Sequence, residues 1–154
     1  MKNIVFTLVL AMISSIATAQ TDLSQLKQND KNEYLVRVSK EMIKEIAPDY
    51  LEDCKTGEIS GPIEFTEKTG KDMGLDEGNT IKYIGKKYYL IDYSVKYTSW
   101  DMEMIGHIVV RIWEYNGEPL SIFFNIGGGI GIQFISSPDK DLKETPKESY
   151  QQHK

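Results

Sequence analysis

The sequence predicts an α+β domain in which one amphipathic helix near the N-terminus packs on a curved antiparallel sheet of four to six strands. Apolar residues recur at helical spacing between residues 30 and 46, and from about residue 80 onward the chain alternates with a period of two. Asn116-Gly117 adds a strong hairpin signal. A helix with one apolar stripe buries that stripe only by lying across a sheet face. An all-β sandwich or barrel is the alternative, which the long helix disfavours.

The first 19 residues have the features of a secretory signal peptide. A single lysine precedes an apolar run from Ile4 to Ile16, and Ala17-Thr18-Ala19 fits the small-x-small pattern of signal peptidase. The run is shorter than the ~20 residues that span a bilayer as a helix, so we expect no transmembrane segment in the mature chain. We therefore predict cleavage before Gln20 and export to a bacterial periplasm or to the extracellular space.

Composition divides the remainder of the chain into three parts. We expect a polar, loosely ordered linker at residues 20–29, a single domain at residues 30–136, and a disordered tail at residues 137–154, which is rich in charge, Ser/Thr and Pro. A chain of 154 residues supports one modest core. The formal net charge of −5 and the lack of a Lys/Arg cluster in the sequence disfavour nucleic acid as a partner.

Local signals set the ends of the helix and the nature of the next segment. We expect Asp30 to cap the helix, with Glu33 reaching back in a capping box, and Pro48 to prevent it from continuing. Residues 68–79 are rich in glycine and charge and are predicted to form an exposed loop. Cys54 is the one cysteine, so no internal disulfide can form, and we expect it to be a small buried side chain near a helix end.

A glycine-rich segment at residues 125–134 raises the question of a phosphate site. Phosphate-binding glycine loops lead into a helix whose first amides complete the anion site. Here the glycines are followed by alternating apolar residues that end at Pro138, and neither G-x-G-x-x-G nor G-x-x-x-x-G-K-[ST] spacing is present. The segment is therefore predicted to be bent strand.

A helix followed by a meander of hairpins, across residues 30–135, resembles the cystatin-like and NTF2-like architectures. In those architectures a curved sheet wraps a helix and often leaves a cleft on its concave side. The resemblance lies in element order alone, so it assigns no function to any residue.

Tyrosine and tryptophan are concentrated between residues 88 and 115. If the helix covers one sheet face, the other face keeps several of these rings near solvent, where they form a recognition surface for a protein or a small organic ligand. A second packing layer or a dimer interface is the alternative. The residues expected to bind the ligand or partner are Tyr89, Tyr93, Trp100, Arg111, Trp113 and Tyr115.

His107 and Asp92 are the candidate catalytic pair. On adjacent strands within a cleft, the imidazole would act as general base and the carboxylate would orient it. The alternative is a half-exposed strand histidine without a catalytic role. Asp101 and Glu103 could join His107 around a metal ion, but zinc sites usually recruit more His or Cys, so we predict no metal and no cofactor.

The leading functional hypothesis is an exported, non-enzymatic domain that binds a protein or a small organic ligand through aromatic side chains. An inhibitor or an immunity protein against a toxin is one form of this hypothesis, and a homodimer is compatible with it. The alternative is a cleft enzyme, an isomerase, dehydratase or hydrolase, that uses His107 and Asp92. The sequence leaves the enzymatic question open and leans toward a binding role.

Overall fold

A computed structural model describes residues 20–127 and 129–134 of the chain. The predicted signal peptide and the predicted tail lie outside the described residues. The helices are α1 at Gln28–Ile46, α2 at Glu67–Asp72 and α3 at Glu77–Tyr83; the strands are β1 at Gly57–Glu64, β2 at Lys87–Ser99, β3 at Met102–Trp113, β4 at Pro119–Ile126 and β5 at Gly129–Phe134. This is an α+β arrangement, and the 19-residue helix α1 rules out the all-β alternative. Among the described helices, none has the length and apolarity needed to cross a membrane.

The five strands form one antiparallel sheet in sequential order from β1 to β5. One face of the sheet is covered by α1, and the predicted alternation of β2 and β3 holds, with one of the two alternating sets turned toward the helix. The side chains that build this core include Leu35, Val38 and Ile43 from α1, and Ile91, Val95, Ile108, Val110, Ile112, Ile122 and Phe124 from the sheet. The apolar stripe of the helix is therefore buried as the sequence predicts.

Helix α1 starts earlier than predicted. Its first residue is Gln28 and its N-cap is Lys27, whose side chain makes no capping hydrogen bond. The predicted cap and capping box at Asp30 are therefore wrong. Asp30 lies in the first turn, where its negative charge interacts favourably with the positive end of the helix dipole. The other end is as predicted, because the helix stops at Ile46, before Pro48.

The segment predicted to be a loose linker is attached to the turn that follows β3. The backbone amide of Thr21 donates to the carbonyl of Asn116 at 2.9 Å, and that of Leu23 donates to the carbonyl of Glu114 at 2.8 Å. Leu23 is fully buried in the core beneath α1. Leu23 thus anchors the polar N-terminal stretch to the core. The described residues therefore begin beside the C-terminal end of β3, away from the β2–β3 turn.

Residues 68–79 are not the exposed loop that their composition predicts, because they contribute to α2 and α3. Thr66 closes a capping box at the start of α2. Asp76 accepts a 2.9 Å hydrogen bond from the backbone amide of Asn79 at the start of α3. That bond, followed by one from the Asn79 side chain, lowers the pKa of Asp76. Helix α3 continues to Tyr83, which is buried. The strand that was predicted from about residue 80 therefore begins only at Lys87, with β2.

The glycine-rich segment forms the connection between β4 and β5. Ile126 pairs with Gly129, and Gly127 has a φ of +65°, which glycine adopts without steric cost. Through Phe134 the described residues continue as strand, and no helix follows the glycines. The prediction that these glycines bend a strand is confirmed for the described positions, because Gly127 lies at a bend between two paired strands.

Candidate functional site

Tyr89 and Tyr93 were predicted to face a ligand, but they lie on the face that α1 covers. Their exposed fractions are 3% and 0%. The Tyr93 hydroxyl shares a 2.6 Å hydrogen bond with the Ser39 hydroxyl, and burial raises the pKa of Tyr93 while this bond opposes the shift. The Tyr89 hydroxyl accepts from Lys31 Nζ and donates to Glu114 Oε1, both at 3.2 Å. Both rings are core residues, and neither can reach a ligand in this structure.

Trp113 occupies the centre of a second core between the sheet and the helices α2 and α3. It is 0% exposed. Its ring stacks on Tyr83 with centroids 4.9 Å apart, and it contacts the rings of Phe65 at 5.6 Å and Tyr88 at 6.3 Å. The predicted recognition surface is therefore wrong at this position. The rings form the second packing layer that was its alternative, because α2 and α3 cover this end of the sheet.

A register shift between β3 and β4 brings one more side chain into the second core. The shift falls between Arg111 and Ile112. Leu120 consequently packs with the Trp113 cluster, although the sequence pattern places it with Ile122 and Phe124. A one-residue irregularity moves a strand side chain to the opposite face.

Arg111 and Tyr115 are partly accessible. Arg111 Nη1 donates to Ser121 Oγ at 3.3 Å, and burial lowers the pKa of Arg111, with Tyr88 opposing the shift. Tyr115 is 46% exposed, and the Lys86 ammonium lies 4.6 Å from the centroid of its ring. Both residues border the second core, so their side chains contribute to packing as well as to the surface.

His107 and Asp92 are in contact. His107 Nδ1 lies 2.9 Å from Asp92 Oδ1, across the β2–β3 pair. The register places Ser94 opposite His107 and Val109 opposite Asp92, so the contact is diagonal on the face that α1 does not cover. The side chains are 44% and 32% exposed, so water reaches both. The proximity that the hypothesis of a catalytic pair requires is present, and a carboxylate at Nδ1 is a geometry that orients an imidazole for proton transfer at its other nitrogen.

The acids of the β2–β3 turn do not assemble with His107. Glu103 Oε1 is instead 2.6 Å from Lys96 Nζ, on the neighbouring strand. This contact raises the pKa of Lys96. Across residues 20–127 and 129–134, no three or more His, Cys, Asp or Glu side chains come close enough to hold a metal ion.

Cys54 is buried in the core between α1 and the sheet, with an exposed fraction of 1%. Burial, and after it the charge of Asp53, raises the pKa of the thiol to about 11. The thiol is therefore protonated at neutral pH, which agrees with the predicted packing role and disfavours a nucleophile.

Strands β2 and β3 extend beyond both of their neighbours in the sheet. They pair with each other as far as Ser99 and Met102, whereas β1 pairs with β2 only to Tyr93 and β4 pairs with β3 only to His107. Because β4 also lies against Gly106, residues 96–105 form a two-stranded extension, which we call the projecting hairpin. Sequence reasoning missed it, because strand length alone does not reveal where neighbouring strands stop.

The projecting hairpin carries exposed large apolar side chains. Trp100 is 92% exposed, Met102 59%, Met104 41% and Ile105 65%. Met102 and Met104 share one face, Ile105 lies on the other, and Trp100 occupies the turn. Solitary exposed apolar residues are ordinary, but a group of them at one tip marks an interaction surface.

The turn of the projecting hairpin has an unusual backbone. Trp100 and Asp101 have φ values of 52° and 60°, so both lie in the left-handed region. Two-residue turns of this kind favour Asn, Asp and Gly, and the left-handed conformation costs a bulky residue such as Trp100 about 1–2 kcal/mol. Trp100 was predicted to contact a partner, and of the six predicted binding residues it is the most exposed.

Comparison with protein-family models, with curated proteins and with solved structures found no match to this chain. The function is therefore inferred from the chemistry of the described residues.

Proposed function

We propose that this protein is an exported, non-enzymatic binding domain that contacts a protein partner through the projecting hairpin. The observation that carries the proposal is the exposure of Trp100, Met102, Met104 and Ile105 at one tip of the fold. Tryptophan and methionine are enriched in the centres of protein interfaces, and tryptophan is a frequent hot-spot residue. An inhibitor or an immunity protein remains one form of this proposed binding function.

The shape of the surface favours a protein over a small organic ligand. Small-molecule sites are concave and enclose most of the ligand. A two-stranded extension with apolar side chains on both faces is convex, and it can be enclosed by a partner but cannot itself enclose a ligand. The rings that could have lined a pocket, Tyr89, Tyr93 and Trp113, are buried in the two cores.

Export and the architectural likeness belong to the same proposal. Export rests on the signal-peptide features of residues 1–19, and the contacts of Thr21 and Leu23 with the end of β3 begin directly after the predicted cleavage site. The likeness to cystatin-like and NTF2-like element order is part of the proposal and adds no functional residue.

Site-specific photo-cross-linking tests the contact surface. Ile105 and Ile81 are the same residue type and are 65% and 61% exposed, on the projecting hairpin and on α3. A benzophenone amino acid at position 105 should give adducts when the exported fraction of the source cells is irradiated, whereas the matched probe at position 81 should give none. Adducts at equal yield from both positions, or none from position 105, would contradict the proposal.

The contact between His107 and Asp92 supports a second candidate, a hydrolase that uses the imidazole as general base. General base catalysis contributes about 10²–10⁴-fold, so a hydrolase should cleave an activated ester such as p-nitrophenyl acetate at least about 100-fold faster than its His107→Gln variant. Equal rates for the two proteins between about pH 5 and pH 8 would eliminate this form of the alternative.

A further inference from the structure

We propose that the partner of the projecting hairpin is a second copy of this chain, and that the two copies pair along the free edge of β3. This inference rests on the proposed function, because it assigns a partner to the same surface. It adds an edge, a register and a symmetry, each of which can be tested separately from the general proposal.

The projecting hairpin has two strand edges without a neighbour in the described sheet. Pairing of β3 with β4 ends at His107, and pairing of β2 with β1 ends at Tyr93. An isolated two-stranded hairpin is marginally stable in water, and an unpaired edge readily accepts another strand. All of the highly exposed apolar side chains of this hairpin lie on β3 or in the turn, so the β3 edge is the one that a partner would cover.

The sequence of this edge is self-complementary in one register. A two-fold axis at Met104 places Met104 opposite its equivalent and Glu103 opposite Ile105 of the other copy. An axis at Glu103 would place two carboxylates directly opposite each other, which is destabilising. An axis at Ile105 would place Glu103 opposite His107, whose edge β4 already occupies. In the Met104 register the paired seam runs from Glu103 to Ile105, because β4 also lies against Gly106. In the favoured register each Glu103 keeps its 2.6 Å contact with Lys96 of its own chain, so little unpaired charge enters the seam.

The exposed apolar area is sufficient for a weak dimer. The exposed parts of Trp100, Met102, Met104 and Ile105 amount to about 400 Å² per copy, from the areas that such side chains carry. Interfaces of this kind are about 60% apolar, so each copy would bury roughly 650 Å² and the pair about 1,300 Å². Specific interfaces begin near about 1,200 Å², so a pair of this size lies at the small end, where weak and transient contacts are found, and we expect a Kd on the order of micromolar.

A membrane is a poorer occupant than a second copy. Asp101, in the turn beside Trp100, is exposed, and no described residue forms an ion pair with it. Insertion of the tip into hydrocarbon would have to desolvate this carboxylate. The net charge of −5 also repels anionic lipid surfaces. In the antiparallel pair the two Asp101 carboxylates lie at opposite ends of the seam, so they remain in water.

Sedimentation equilibrium of the protein purified after export tests dimer formation. We expect a monomer–dimer equilibrium with a micromolar Kd. Ile105→Glu places a carboxylate opposite Glu103 of the other copy and should raise the Kd at least about tenfold. The matched variant Ile81→Glu should leave the Kd unchanged. A wild-type protein that stays monomeric to about 500 µM overturns the inference, as does an equal effect of the two variants.

Cysteine substitution tests the register. Directly opposed side chains have Cβ atoms about 4.5–5.5 Å apart, close enough for a disulfide after a small movement. Met104→Cys should form a covalent dimer under mild oxidation, whereas Met102→Cys, which does not face its equivalent, should not; Cys54 is too deeply buried to interfere. Equal yields from both variants overturn the register.

The two proposals fail in different ways. A monomeric protein that cross-links from position 105 to a different protein overturns the dimer and leaves the proposed binding function intact. A monomer that binds phosphatidylcholine vesicles through the hairpin overturns both the dimer and the protein partner. Absence of any cross-link from position 105, self-adducts included, overturns both proposals as well.

Discussion

Replacing Trp113 by alanine should remove the centre of the second core. The side chain is fully buried, and its ring centroid lies 4.9 Å from that of Tyr83, 5.6 Å from Phe65 and 5.8 Å from Tyr115. Burial of about 200 Å² at ~25 cal/mol per Å² corresponds to about 5 kcal/mol, and truncation of buried aromatic side chains costs about 3–5 kcal/mol. We expect the free energy of unfolding to fall by about 4 kcal/mol, which is a large part of the ~5–15 kcal/mol of a typical domain.

Urea unfolding followed by far-UV circular dichroism measures this loss without relying on tryptophan emission. The control is Trp100→Ala, which removes the same side chain from a position that is 92% exposed and should change the free energy of unfolding by less than about 0.5 kcal/mol. The reasoning is refuted if Trp113→Ala remains folded with a loss below about 1 kcal/mol, or if Trp100→Ala loses as much as Trp113→Ala.

Three further predictions concern the core and the turn. Ser39→Ala leaves the buried Tyr93 hydroxyl without its 2.6 Å partner and should lower the free energy of unfolding, measured in urea, by about 1–3 kcal/mol. If Ser39→Ala costs the same in a Tyr93→Phe background as in the wild type, the hydrogen bond contributes nothing. Trp100→Gly relieves a left-handed φ of 52° and should stabilise the protein by about 1 kcal/mol; a loss of stability would contradict the strain. Burial raises the pKa of Cys54 from 9.0 to about 11, so its contribution to stability is present below pH 9 and declines as the pH rises toward 11. The same burial predicts that the native thiol reacts with a disulfide reagent at pH 8 only after unfolding, and rapid reaction of the folded protein would contradict it.

Local patterns predicted the main elements well. The period of 3.6 in α1 and the period of two in β2 and β3 depend on neighbouring residues alone, and both appear in the structure. Pro48 ends the helix for an equally local reason. The contact of His107 with Asp92 was a hypothesis from the sequence, because the pairing of their two strands is a tertiary property.

The exposure of the aromatic residues could not be predicted in the same way. Whether Trp113 faces solvent depends on residues 65–83, which fold back over the sheet as two short helices. Thr66 and Asp76 were available as capping signals, but the glycines between them favoured a loop reading. The projecting hairpin depends on where β1 and β4 stop pairing, which is a tertiary property that no single stretch encodes.

Quenching of single-tryptophan variants by acrylamide tests the central claim most directly, namely that the sheet rings form cores and that the exposed ring is at the hairpin tip. Trp113→Phe leaves only Trp100, which is 92% exposed, and Trp100→Phe leaves only Trp113, which is 0% exposed. At protein concentrations too low for self-association, we predict that acrylamide quenches Trp100 nearly as efficiently as free indole and that Trp113 is strongly protected. If Trp113 is quenched as readily as Trp100 in the folded protein, the assignment of core and contact surface is contradicted.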